Sequence, residues 1–181
     1  MKLSHNIYFK DFKYTKAKKK ISNILKELFS QENQVIISLG KSYKDSYGKK
    51  LIKKLKKFLN INLIGIGGSS LGSKAIYSFL GHKIKKKFIF IDTLNQFGIK
   101  NKKDTLNLII SKSGNTLETI ANVNFYVKKN QKNIFITQDK KSYLTSLANN
   151  LKAEIISHNN FIGGRYSVLS EVGMLPADLM G

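Results

Sequence analysis

The sequence predicts an α/β fold: a three-layer αβα sandwich around a mainly parallel, Rossmann-like sheet of about five strands, preceded by an N-terminal helical segment. Two observations predict it. Five short apolar runs, INLIGI, FIFID, LNLIIS, NIFIT and EIIS, follow one another after Asn60 with no polar alternation, the pattern of strands covered on both faces. Each is followed by a polar or glycine-rich turn and a helical stretch, and units of that kind build a parallel sheet with right-handed crossovers.

The elements follow in order. Residues 1–59 read as a helical segment packing on the sheet. In DSYGKKLIKKLKKFLN the apolar Tyr47, Leu51, Ile52, Leu55, Phe58 and Leu59 recur at helical spacing with lysines between them. Such a helix can lie on a membrane or a partner; packing on the domain with a solvated lysine face is the expected reading. Residues 60–181 read as the sheet domain, with helices over Ser70–Leu80, Thr116–Lys129 and Ser142–Asn149 and exposed lysine-rich connections at GHKIKKKF and GIKNKKD. After the only proline, Pro176, the sequence shows no closing element, so the domain is expected to be incomplete at its C-terminal end.

The formal charge is +21 and cysteine is absent. Without cysteine there are no disulfides, thiolate metal sites or cysteine nucleophiles, as is usual for a reducing compartment. No stretch has the form of a signal peptide or a membrane span, so a cytoplasmic location is expected, with no membrane partner. The charge invites a nucleic-acid reading. The lysines, however, are spread along the whole chain among frequent Asn and Ile, which reads as compositional drift, and no nucleic-acid partner is expected.

Ligands of such sheets bind beyond the carboxyl ends of the strands. GIGGSSLGSKA, Gly65 to Ala75, allows three phosphate readings. A dinucleotide fingerprint would need a third glycine where Ser70 stands, although Asp92 after FIFI imitates the ribose-binding acid. A Walker loop would need Lys before Ser, and Ser73-Lys74 reverses them, turning the lysine by about 100°. A simple cradle for one phosphate monoester needs only close-lying glycine amides, the Ser69 and Ser70 hydroxyls and a helix N-terminus. A plain strand-to-helix turn is the remaining alternative. SKSGNTLET, Ser111 to Thr119, gathers hydroxyl and amide side chains, a lysine and a glycine ahead of a helix that Glu118 could help cap. Two such loops after strands of one parallel sheet can converge on one anion.

GIGGSSLG, SKSGNTLET and GGRYSVLSEVGMLP together resemble the glucose-6-phosphate isomerase family, whose sheet domain is of the sugar isomerase (SIS) type; the resemblance runs from about Asn60 to the last residue. It implies reversible conversion of glucose 6-phosphate into fructose 6-phosphate through a cis-enediol, in glycolysis and gluconeogenesis, with no cofactor and no metal, by a homodimer in the full-length protein. Phosphate-binding roles carry over to Gly68, Ser69, Ser111, Lys112, Ser113 and Thr116, and the family's catalytic arginine carries over to Arg165. Gly114, Asn115 and Glu171 depart from the family pattern.

Arg165 is also the only arginine beside 31 lysines, from a Lys+Arg total of 32. A guanidinium keeps its proton in a low-dielectric pocket where a lysine could lose it, and it offers a rigid fork of donors to an enediolate. The family's glutamate base, its lysine and its ring-opening histidine have no counterpart here. His5, His82 and His158 stand in unmatched contexts and read as surface or capping residues, and Glu118 reads as a capping or supporting residue. The expected chain therefore binds sugar phosphate and turns over nothing. A non-catalytic SIS module sensing sugar phosphates is the alternative.

Overall fold

The structure is a computed structural model that describes residues 18–31, 33–40, 42–94 and 104–181. Five strands form one parallel sheet: β1 Asn60–Ile64, β2 Lys87–Ile91, β3 Thr105–Ile110, β4 Lys132–Thr137 and β5 Glu154–Ser157, in the order β2-β1-β3-β4-β5. Seven helices accompany it among the described residues: α1 Lys18–Ser30, α2 Gln34–Ser38, α3 Lys49–Leu55, α4 Leu71–Leu80, α5 Leu117–Tyr126, α6 Tyr143–Asn150 and α7 Glu171–Met180. Short 3₁₀ turns lie at Gly67–Ser69 and Gly164–Leu169. His5 and all of GIKNKKD but Asp104 fall outside the described residues.

The apolar runs become strands because both faces of the sheet are covered. Ile61, Leu63, Leu106, Leu108 and Ile110 pack with Leu51 and Leu55 of α3 and Val172, Leu175 and Leu179 of α7. The alternate positions Ile64, Ile109 and Phe135 pack with Val123 and Tyr126 of α5 and Leu144 and Ala148 of α6. Burying each such side chain contributes about 1.5–3 kcal/mol.

One row of the second face is polar. Asn62, Asn107 and Asn133 stand opposite one another on β1, β3 and β4. The Asn62 amide donates to Asn107 Oδ1 at 3.0 Å, and that of Asn107 donates to Asn133 Oδ1 at 2.8 Å. A one-residue slip would strand these buried amides without partners, so the row fixes the register.

The sequence-based boundaries change in three places. In the lysine-rich segment only Lys49–Leu55 is helical; Tyr47, Phe58 and Leu59 lie outside it, and the Tyr47 hydroxyl instead donates to Asp178 at 3.0 Å. α5 stops at Tyr126, with Val127 extended. The next residues are held in a turn by Gln131 Oε1, which accepts from the Lys128 amide, and by Asn133, which donates to the Lys128 carbonyl. Thirdly, the segment around Pro176 is helical: α7 runs through Pro176 and seats Val172, Leu175 and Leu179 in the core. Its Gly173 is required by packing, since a Cβ there would collide with the Val168 carbonyl. Among the described residues no helix is long and apolar enough to cross a membrane.

Candidate functional site

The strand order places a topological switch between β1 and β3. The chain leaves β1 toward β2 on one side, whereas β3 leads to β4 and β5 on the other. Loops departing such a pair separate and leave a crevice at their carboxyl ends. The two candidate phosphate loops, Gly65–Ser70 after β1 and Ser111–Thr116 after β3, flank this crevice.

The first loop passes the end of β3, from which the second departs. A Cβ on Gly65 would sit 2.8 Å from the Ile110 carbonyl and 2.9 Å from Ser69 Cβ, so only glycine lets the first loop pass the end of β3. Gly67 has a φ of +58°, the left-handed region that favours glycine. In the second loop the Ser111 and Thr116 hydroxyls are 2.9 Å apart, Ser113 is 3.4 Å from Thr116, and the Asn115 amide donates to Ser113 Oγ at 3.2 Å.

Gly114 and Asn115 have structural reasons. Gly114 has a φ of +67°, and a Cβ there would collide with Ser142. Asn115 Oδ1 accepts the Tyr143 amide at 2.8 Å, which docks the loop on the start of α6.

Helix starts differ in their capping, and Gly48 before α3 and Ser170 before α7 make no side-chain cap bond. Ser142 caps α6 in a reciprocal box with Thr145. Neither Ser70 before α4 nor Thr116 before α5 makes a side-chain cap bond, and Glu118 makes no capping bond either. Glu118 lies in the first turn of α5, where its charge suits the helix dipole without a hydrogen bond. Uncapped N-terminal amides and the positive end of the helix dipole form a ready anion site, and here two of them follow adjacent loops.

The glycine pair before Arg165 joins the same cluster. Gly68 packs on the Gly164 carbonyl so closely that a Cβ would collide with it, and the Ser167 hydroxyl lies 3.4 Å from the Gly68 carbonyl. The Lys112 ammonium donates to the Asn160 carbonyl at 2.9 Å, tying the second loop to the segment ahead of Gly163. Arg165 itself is exposed, with no hydrogen-bond or ion-pair partner among the described residues. Gly68, Ser69, Ser111, Lys112, Ser113, Thr116 and Arg165 thus belong to three segments in mutual contact. Asp92 is engaged elsewhere: it pairs with Lys74 at 2.5 Å and lies 3.5 Å from Ser70 Oγ.

His158 is a correction. It is buried, with Nδ1 2.5 Å from Glu171 Oε1 and Nε2 3.2 Å from the Ile162 carbonyl. His82 is exposed. Glu171 also accepts the Tyr43 hydroxyl at 2.9 Å and the Asn159 amide at 3.2 Å. Burial pushes the Glu171 carboxyl up, but the hydrogen bonds from His158, its own backbone and Tyr43 together hold it below the usual carboxylate value. Burial, then Glu171, push the Tyr43 hydroxyl up, so it stays a donor. Asp45 is pushed up by burial and by the charges of Glu171 and Asp178. These residues are far apart in the chain, and the only local signal was an acidic residue after Ser170.

Comparison with known proteins agrees with the motifs. The family model described as phosphoglucose isomerase matches residues 41–181. The chain belongs to the phosphoglucose isomerase family. It is 34% identical over 169 residues to the glucose-6-phosphate isomerase of Borrelia garinii, covering 83% of this chain and 32% of that one. It is 33% identical over 175 residues to that of Methanocaldococcus jannaschii, covering 88% and 41%. The chain therefore spans roughly a third of the length of such relatives.

Solved structures share the fold. A hypothetical protein from Thermus thermophilus superposes with a TM-score of 0.66 at 22% identity, over 90% of this chain and 46% of that one. The C-terminal domain of glucosamine-fructose-6-phosphate aminotransferase from Francisella tularensis superposes with a TM-score of 0.56 at 15% identity, over 87% and 47%.

Proposed function

We propose that this chain is the phosphate-holding portion of a glucose-6-phosphate isomerase, interconverting glucose 6-phosphate and fructose 6-phosphate. The observation that carries the reading is the close packing of the first glycine loop on the turn that bears the exposed Arg165 guanidinium, with Lys112 of the second loop bonded to the segment just ahead of that turn. The amides around Gly68 and Ser69, with Ser111, Lys112, Ser113 and Thr116, take the phosphate dianion. Lys112 exchanges the Asn160 carbonyl for a phosphate oxygen, a gain of charge pairing.

With the phosphate fixed, the open-chain sugar extends toward Arg165. A base removes the C2 proton and returns it to C1, and the negative charge that develops on the enediolate oxygens is met by the guanidinium. Charge positioned in advance in this way is commonly the largest catalytic contribution. The base and the ring-opening group belong to the rest of the full-length protein, which acts as a cytoplasmic homodimer in glycolysis and gluconeogenesis. The domain division is an N-terminal segment over residues 1–59 and an SIS domain over residues 60–181.

The test has two parts. Glucose 6-phosphate should raise the melting temperature of the 181-residue chain, and the chain should show no conversion in a coupled assay. Substantial conversion by this chain alone would overturn the division of roles. Binding without turnover in the full-length protein would favour a sugar-phosphate sensor instead.

A further inference from the structure

The turn that carries Arg165 is bracketed by two buried ionisable side chains, His158 before it and Glu171 after it; their side chains are 1% and 0% exposed. Among the described residues every polar neighbour of the Glu171 carboxylate is a donor: His158 Nδ1, the Asn159 amide and the Tyr43 hydroxyl. The other ring nitrogen of His158 faces the Ile162 carbonyl, which can only accept. A neutral imidazole beside a carboxylate would therefore turn one nitrogen lone pair toward an oxygen lone pair where water does not reach, a costly arrangement. The pair must hold the extra proton. Three donors on the carboxylate besides the ring, counting its own backbone amide, favour placing that proton on the imidazole and leaving Glu171 ionised.

We infer that His158 is a buried imidazolium, and that its ion pair with Glu171 is the clasp that holds the Arg165 turn against the first glycine loop. The ring grips both ends of that turn. Nε2 holds the Ile162 carbonyl, just ahead of Gly163 and Gly164, and Nδ1 holds Glu171, the first residue of α7. Gly164, inside the clasp, is the residue on which Gly68 packs.

The charged and titratable groups facing the pair are Tyr43 and Asp45 from the segment before α3, then Tyr47 and, on α7, Asp178. Lys112 reaches the Asn160 carbonyl on the same segment. His158 and Glu171 are positioning residues, acting on substrate only through Arg165. That last step rests on the isomerase reading above; the protonation state does not.

The experiment uses the 181-residue chain with ¹⁵N-labelled histidine and ¹³C-labelled arginine. At pH 7.5 the two-bond ¹H–¹⁵N correlation of His158 should show both ring nitrogens protonated; a lone-pair-bearing nitrogen at His158 would overturn the inference, and no variant is needed to see it. In Glu171→Gln one of the two protons should be lost at the same pH.

Arg165, being the only arginine, gives a single set of Cδ–Hδ signals. In Glu171→Gln that signal should shift, and glucose 6-phosphate should bind at least about tenfold more weakly, the share of one charge-assisted hydrogen bond. An Arg165 signal that stays in place in Glu171→Gln would refute the clasp. A chain that passes both spectroscopic tests yet binds no glucose 6-phosphate at any pH would refute the isomerase reading and leave the clasp standing.

Discussion

Gly68 rests on the carbonyl of Gly164, with no room for a side chain between them. Both atoms that would meet are held by backbone, so neither can swing aside. Gly68→Ala should cost about 1–3 kcal/mol, the usual effect of overpacking, and should also abolish the thermal shift produced by glucose 6-phosphate. Gly67→Ala is the control. Nothing lies within 4 Å of its added Cβ, and only its φ of +58° is unfavourable, which costs about 1–2 kcal/mol without moving a neighbour. Equal ligand responses in the two variants would show that the contact does not order the site.

Arg165→Lys separates stability from chemistry. The guanidinium has no partner among the described residues, so the urea midpoint should change by less than about 0.5 kcal/mol equivalent. In the full-length protein kcat should fall by about 10²–10³, the effect of removing one oxyanion donor, because an ammonium lacks the planar fork. A near-normal kcat would remove Arg165 from the mechanism.

The hydroxyl cluster of the second loop offers a third comparison. Thr116→Val removes the group that Ser111 and Ser113 share. It should cost about 1 kcal/mol and most of the stabilisation by inorganic phosphate. Ser142→Ala breaks the α6 cap and should cost about 0.5–2 kcal/mol, with the phosphate response intact. Calorimetry with and without phosphate reads both.

Acid stability follows from Glu171. Its carboxyl is held below the ordinary value of 4.5 in the fold, so its contribution is present above that value and is lost as pH falls through the lowered one. Asp45 is raised in the fold and works in the opposite sense, partly offsetting the loss. Glu171→Gln should flatten the acid limb of the stability curve. At neutral pH it should destabilise by about 3–5 kcal/mol, as when one member of a buried pair is removed. Tyr43→Phe should cost about 1.5–3 kcal/mol, because its acceptor is that buried carboxylate. Tyr47→Phe, whose bond to Asp178 is exposed, should cost less.

Where covering on both faces makes apolar residues continuous, as in INLI and LNLII, the strands could be read directly, and the glycines and hydroxyls of the two loops marked the strand-to-helix turns. α7 was not legible, because Pro176 and Gly173 argue locally against a helix. Only the contact of Gly173 with Val168 and the burial of Val172, Leu175 and Leu179 explain it. His158 offered no local sign of its partner, since its burial depends on Glu171 and Tyr43. The asparagines of β1, β3 and β4 lie far apart in the sequence, and only the strand register aligns them into one row.

The bonds from Tyr43 to Glu171 and from Tyr47 to Asp178 close loops of 128 and 131 residues. During synthesis, at about 5–20 residues per second, the tyrosines leave the ribosome many seconds before their acceptors have been translated. The segment ahead of α3 therefore waits undocked while the sheet assembles. Docking of that early segment belongs to the last stage of folding, and a ribosome stalled short of residue 171 would display it as protease-sensitive chain.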